Sequence, residues 1–369
     1  MGMKLRIIMG VHPNRLAAPQ IMSSDPRLET LRLWLAARPG FGIKRLEPAS
    51  ADASFRRYFR LWPVGGGSLI VMDAPPDKED LATYLRVSRL LEQCGMHVPH
   101  VHADDTLQGY AVLEDLGGTH MLTALNEGAD PGVLYGDALA ALADLQLRGD
   151  AASGQLPPYD AATLWREMQL LPDWYCARHL GIDLDVAESE VLAATFELLI
   201  VDALAQPRVF VHRDYHSRNL MMTAARSPGV IDFQDALRGP VGYDLASLLK
   251  DCYIAWPRAR VESWVAQFRE QLLAAGPSGA ALAGESQQQF LRWFDLIGLQ
   301  RHIKVLGIFA RLCWRDGKSG YLADLPRTLQ YVRDVAAAYP ELAQFHELVE
   351  TRLVPGLSAA NERALAAST

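Results

Sequence analysis

The run Val209-Phe210-Val211-His212-Arg213-Asp214-Tyr215-His216-Ser217-Arg218-Asn219-Leu220-Met221-Met222, followed by Gly229-Val230-Ile231-Asp232-Phe233, constrains this chain more than any other. An apolar strand leads into a polar turn and a second short strand. A Ser227-Pro228-Gly229 turn then leads to a third apolar strand that ends in an acid. Asp214, Asn219 and Asp232 thereby stand at strand ends around one hairpin. Moving a phosphoryl group onto a hydroxyl needs such a set. One carboxylate takes the hydroxyl proton, and a second carboxylate with an amide oxygen holds the metal that neutralises the phosphates. A hairpin whose Asp and Asn merely shape turns is the plainer alternative.

With 369 residues the chain can bury a sizeable core, most simply as two lobes. A net charge of −7 gives no basic footprint for nucleic acid or an anionic membrane. Cys94, Cys176, Cys252 and Cys313 are widely spaced, which argues against a disulfide framework or a zinc site and for reduced thiols in a cytoplasm. The apolar run Ile7-Ile8-Met9-Gly10-Val11 is too short for a signal-peptide core, and no run approaches the ~20 residues of a membrane span. Residues 1–24 show no periodicity and are expected to be a loose leader.

Asp25-Pro26 opens a helix, with the acid as N-cap and the proline in the first turn, and Pro39-Gly40 stops it. Strands are expected at 43–46, 55–62 and 68–72, the first two joined by the small-residue turn 49–54. A helix over 77–94 follows, then a strand over 109–118 running into Gly117-Gly118. Beyond it the pattern becomes helical: 137–147, 164–179 and 187–204 before the central run, and 245–253, 260–275, 287–312 and 325–338 after it. A small sheet with one helix, then helices around a hairpin, is a bilobal α+β layout with its boundary at Gly117-Gly118.

His212-Arg213-Asp214 with Asn219 fits the spacing H-R-D-x-x-x-x-N, Asp232-Phe233-Gln234 stands where a metal-binding D-F-G would, and Tyr243-Asp244-Leu245-Ala246 follows. On these motifs the chain resembles the aminoglycoside phosphotransferase-like kinases, relatives of the protein kinases that phosphorylate small molecules. The resemblance implies a bilobal protein-kinase-like fold. Residues 25–117 would be an antiparallel-sheet lobe binding ATP, and 118–369 a helical lobe carrying the catalytic loop and the acceptor site. Asp214 is then the general base, and Asn219 and Asp232 the ligands of Mg2+. His212 packs behind the loop, His216 is a candidate for touching substrate, and Asp244 is an N-cap that braces the loop. The segment 110–118 takes the place of the hinge, with the Glu114 carbonyl and Leu116 N–H for the adenine. The turn 50–54, and Ser54 in it, takes the place of the phosphate-covering loop.

One departure from the family pattern stands out: no lysine occurs between Lys44 and Lys78, where the third strand should carry one for the α- and β-phosphates. Arg57, which shares a strand face with Phe55, Phe59 and Leu61, is the first candidate to replace it, and Arg56 the second. The alternative is a nucleotide-binding pseudokinase scaffold.

Within the family the chain is similar to the bacterial anomeric kinases of N-acetylmuramate and N-acetylglucosamine in cell-wall recycling. The similarity rests on 52–60, 70–76, 113–117, 211–219 and 301–312, and it implies phosphorylation at C1. Aminoglycosides, choline, homoserine and methylthioribose, substrates of other branches, stay open as alternatives. Arg301 and Lys304 lie three apart on the 287–312 helix, either as a solvated basic stripe or facing the acceptor, where a lactyl carboxylate would meet them. A sugar is the expected partner, with no nucleic acid, membrane or protein partner.

Overall fold

The Asp25-Pro26 pair opens a helix in the computed structural model, which describes residues 25–51 and 55–367. Oδ1 of Asp25 accepts from the Arg27 and Leu28 N–H groups at 3.1 and 3.0 Å, and α1 runs Pro26–Ala36. The strands β1 (Ile43–Ala51), β2 (Arg57–Pro63), β3 (Leu69–Asp73), β4 (Val101–Asp105) and β5 (Tyr110–Glu114) form one antiparallel sheet in the order β1-β2-β3-β5-β4. Pairing of Ser50 with Tyr58 and Ala51 with Arg57 makes β1 longer than its pattern suggested, so the turn expected at 49–54 is partly strand. Ser54 and the leader 1–24 lie outside the described residues.

The two faces of the sheet enter different cores, which fixes what each residue of β2 can do. Phe59, Leu61, Val71, Tyr110 and Val112 pack under α1 with Leu31, Trp34 and Leu35. Met72, Ala111 and Leu113 on the other face meet Leu85, Val87 and Leu91 of the second helix, α2 (Leu81–Gln93), whose N-terminus Asp80 caps through the Thr83 N–H at 3.0 Å. This second core continues without a break into the helices.

The helical lobe begins with α3 (Met121–Asn126), α4 (Pro131–Arg148), α5 (Asp150–Ser153) and α6 (Ala161–Met168). The single helix expected over 164–179 is two, because Pro172 has no N–H to return to Met168 and the chain widens into a π-helix at Leu171–Leu180. After α7 (Val186–Ala205) come β6 (Arg208–Val211), β7 (Leu220–Met221), β8 (Gly229–Val230) and β9 (Leu237–Pro240). The one hairpin expected here is instead two small sheets: β7 pairs with β8, and β6 pairs with β9 beyond Asp232. The helices α8 (Gly242–Leu249), α9 (Arg258–Ala274), α10 (Pro277–Leu282), α11 (Gln287–Asp316), α12 (Leu325–Ala338), α13 (Ala343–Leu348) and α14 (Leu357–Ala367) complete the lobe.

The 30-residue α11 is the spine of the lobe and packs on the π-helix, α7, α8 and α12. Gly307 permits the closest of these approaches, since a Cβ there would lie 2.3 Å from the Leu170 carbonyl. Among the described residues no helix is long and apolar enough to cross a membrane.

Candidate active site

The loop between β6 and β7 is held from beneath by one carboxylate. The N–H groups of His212 and Arg213 donate to Asp244 at 2.6 and 2.9 Å. Asp244 lies inside the first turn of α8 rather than at its N-cap, so its oxygens brace the loop and not the helix. Burial pushes its carboxyl up to about 7, against the pull of those two donors. His212 is fully buried with Nε2 3.1 Å from the Ile231 carbonyl, and burial brings its ring down to about 4. It therefore packs behind the loop as a neutral ring.

Arg213 takes a left-handed backbone (φ 77°), which turns its side chain down into the lobe to an ion pair with Glu167. Glu167 also receives Lys304 Nζ at 3.2 Å, Gln300 Nε2 at 3.4 Å and the Tyr159 hydroxyl. Burial raises the Glu167 carboxyl, yet Lys304 and Arg213 together hold it below its ordinary value. The sequence reading missed Glu167. Its signal was there: it sits between Leu164 and Met168 on the buried stripe of α6, where an acid needs a partner.

Asp214 is half-buried at the start of the turn. Burial alone would raise its carboxyl, but His216, Lys304, Arg301 and Arg213 around it bring it below the usual carboxylate value. Asn219 donates through Nδ2 to the Asp214 carbonyl at 3.0 Å, which leaves its Oδ1 free of that bond, and the same Nδ2 lies 3.5 Å from Asp232 Oδ2. The Ile231 N–H donates to the Asn219 carbonyl at 3.1 Å. Asp232 is itself left-handed (φ 65°), a conformation that costs a non-glycine residue about 1 kcal/mol or more. Its Oδ1 accepts from Arg56 at 3.1 Å and Gln234 at 3.0 Å. Asp214, Asn219 and Asp232 are thus brought together and tied to one another.

The two arginines at β2's leading edge, first and second candidates for the missing cation, meet different acids. Arg57 shares the face of Phe59 and Leu61, but that face is covered by α1, and its guanidinium is taken by Asp25 and by Asp73 at 2.8 and 2.5 Å. It points away from Asp232. Arg56, one residue earlier and 8% exposed, reaches Asp232 and lies 3.7 Å from Glu79. With Met72, Tyr84, Gln234 and Asp235 it lines a cavity of about 160 Å³. Arg60 lies on the face opposite Arg57, as expected, but that is the face turned toward the second core. It binds Asp115 at 2.7 Å and the Gly117 carbonyl at 2.9 Å.

Beyond β5 the chain is shaped for a close turn. Asp115 accepts from the Gly117 N–H at 3.0 Å, and Gly117 is left-handed (φ 95°). Leu116 is buried against Gly229, where a Cβ would come within 2.7 Å of its Cδ1. A cavity of about 810 Å³ borders this segment, with Glu114, Leu116, Gly117, His97, Met222 and Arg226 in its wall.

Residues 45–283 match the phosphotransferase enzyme family. The chain belongs to that family. N-acetylmuramate/N-acetylglucosamine kinase of Pseudomonas aeruginosa is 47% identical to this phosphotransferase, over 89% of the chain and 97% of that relative. The proteins of the same description from Neisseria meningitidis and Caulobacter vibrioides are 45% and 32% identical, over 82% and 88% of this chain and 88% and 96% of theirs. Among solved structures, a choline/ethanolamine kinase family protein from Mesorhizobium loti superposes with a TM-score of 0.56 at 16% identity, covering 88% of this chain and 99% of that one. ADP-bound aminoglycoside phosphotransferase APH(2'')-Ib gives 0.53 at 14%, over 84% and 98%. These establish the protein-kinase-like fold.

The phosphotransferase's α11 residues are not a solvated stripe. Arg301 and Lys304 are 4% and 8% exposed, and both lie within the electrostatic reach of Asp214. Lys304 is fixed by Glu167 and by the Tyr243 hydroxyl at 3.2 Å. His216 is buried with its ring edge-on to Tyr253, 5.4 Å between centroids.

Proposed function

We propose that the protein is an ATP- and Mg2+-dependent cytoplasmic kinase that phosphorylates the anomeric hydroxyl of N-acetylmuramate and N-acetylglucosamine. The observation that carries this reading is the interlocked set Asp214, Asn219 and Asp232, in a chain 47% identical to a relative of that description along almost its whole length. Asp214, kept ionised by its cationic surroundings, accepts the proton of the sugar hydroxyl. Asn219 Oδ1 and the Asp232 carboxylate suit magnesium, which takes hard oxygen ligands and few of them from protein. A magnesium ion held there supplies the positive charge that phosphoryl transfer requires.

Arg56, not Arg57, supplies the cation missing from β3, because its guanidinium already sits against Asp232 beside Met72. The Glu114 carbonyl and Leu116 N–H meet the adenine, Gly117-Gly118 divides the lobes, and His216 and Arg301 stand on the acceptor side of Asp214, whereas Lys304, first a candidate for that side, braces the loop from beneath. The test is phosphate transfer from γ-labelled ATP to N-acetylmuramate, N-acetylglucosamine, choline, homoserine, methylthioribose and kanamycin. Preference for the two amino sugars supports the assignment. Efficient transfer to another acceptor with neither amino sugar labelled would replace it.

A further inference from the structure

Arg301 is a buried cation that stands outside every ion pair of the described residues. It is 4% exposed, and the hydrogen bond its guanidinium makes is a weak one, Nη1 to the Cys252 thiol at 3.7 Å. Among the described residues no carboxylate lies within ion-pair distance of it. Three carboxylates feel its charge across a longer gap, and each is otherwise engaged: Asp244 accepts from the His212 and Arg213 N–H groups. Asp251 accepts from the Ser217 N–H and hydroxyl and from the Tyr253 N–H. Asp214 is the base. Burying a charge is costly unless a partner is supplied, and among the described residues Arg301 has no direct ion pair, only the longer-range pull of Asp214, Asp251 and Asp244.

Its neighbour on the same helix turn is different. Lys304 is satisfied by Glu167 and the Tyr243 hydroxyl, so it belongs to the clamp beneath the loop. On the loop itself, His216 is 9% exposed and its Nδ1 is buried with no hydrogen-bond partner. The His216 N–H donates to the Asp214 carbonyl at 3.0 Å, and Arg301 acts electrostatically on Asp214, so a cation outside any ion pair and a ring nitrogen without a hydrogen bond lie within reach of the base.

We infer that Arg301 and His216 form an anion subsite next to Asp214 that takes the carboxylate of an acidic sugar acceptor, the lactyl group of N-acetylmuramate. This rests on the sugar-kinase reading above. The carboxylate completes the ion pair that Arg301 lacks, through charge-assisted hydrogen bonds. N-acetylglucosamine has no carboxylate and leaves the subsite unfilled, so the subsite sets preference between the two sugars.

The experiment compares kcat/KM for N-acetylmuramate, its methyl ester and N-acetylglucosamine in the wild type and in Arg301→Met. Losing one buried charged contact corresponds to about 10- to 100-fold. The expected result is that esterification costs the wild type that factor. Arg301→Met should lower the ratio of N-acetylmuramate to N-acetylglucosamine activity by the same factor and become indifferent to esterification. The ratio removes whatever both sugars lose in common through Asp214. Should Arg301→Met fail to fold, the acid-against-ester comparison in the wild type still decides. A wild type that treats acid and ester alike, or a variant that loses both sugars equally, overturns the subsite and leaves the kinase intact. A wild type that phosphorylates neither amino sugar overturns the reading beneath it as well.

Discussion

At the scale of single residues, the chemistry of this site depends on which way two adjacent arginines point. Arg56 meets Asp232 and Arg57 meets Asp73, because α1 claims the face of β2 that carries Phe59 and Leu61. The period of two told which residues share a face, and it could not tell which face a distant helix would cover. By contrast, that Asp214, Asn219 and Asp232 would come together was legible, since their spacing is local. Arg56→Ala is expected to weaken ATP binding or turnover by about tenfold or more, the worth of a charge-assisted contact. Arg57→Ala should lower the melting temperature instead, by freeing one side of the buried Asp73. ATP titrations and melting curves of both variants check this, and equal small effects on ATP would leave Arg56 without the role. The pH profile is a second check. Burial raises the Asp214 pKa, but the cations around it favour the ionised form and lower it on balance, which keeps the base form populated throughout the neutral and mildly acidic range. A fall in kcat/KM between pH 7 and 5 that vanishes on replacing Lys304 by Met would contradict that sign.

At the scale of elements, helices announced themselves through their apolar period, and the strand pairing that was missed is non-local. Pairing of β6 with β9 joins segments separated by the whole catalytic loop, and no local pattern records it. The break between α6 and the π-helix follows from Pro172, a signal present but outweighed by the continuous periodicity around it. Glu167 shows what that break positions. From α6 it clamps Arg213 of the loop and Lys304 of α11, joining three elements under Asp214. Replacing it by Gln leaves two buried cations short of a counter-charge, a loss on the order of 3–5 kcal/mol. The expected outcome for Glu167→Gln is a clear drop in melting temperature together with a kcat reduced more than the KM for ATP is raised. An unchanged kcat in a folded Glu167→Gln protein would show that the clamp does not serve the loop.

At the scale of the whole molecule, a small antiparallel sheet and a helical lobe meet at the candidate site. Arg56 comes from the residue before β2 and Asp232 from the loop beyond β8, and their contact joins the lobes. The two-lobe layout was readable from the change of periodicity near Gly117, whereas the division of the sheet between two cores was not. With Asp232 as the metal ligand, magnesium should strengthen ATP binding to the wild type and give little or no gain to Asp232→Ala, measured by calorimetry with and without the ion. An equal gain in both would move the metal site elsewhere. The central claim is that Asp214 is the base in a working kinase, and one measurement tests it most directly. Asp214→Asn, folded and purified, should still bind ATP while sugar phosphorylation falls by about 10²- to 10⁴-fold. Turnover near that of the wild type would contradict the account.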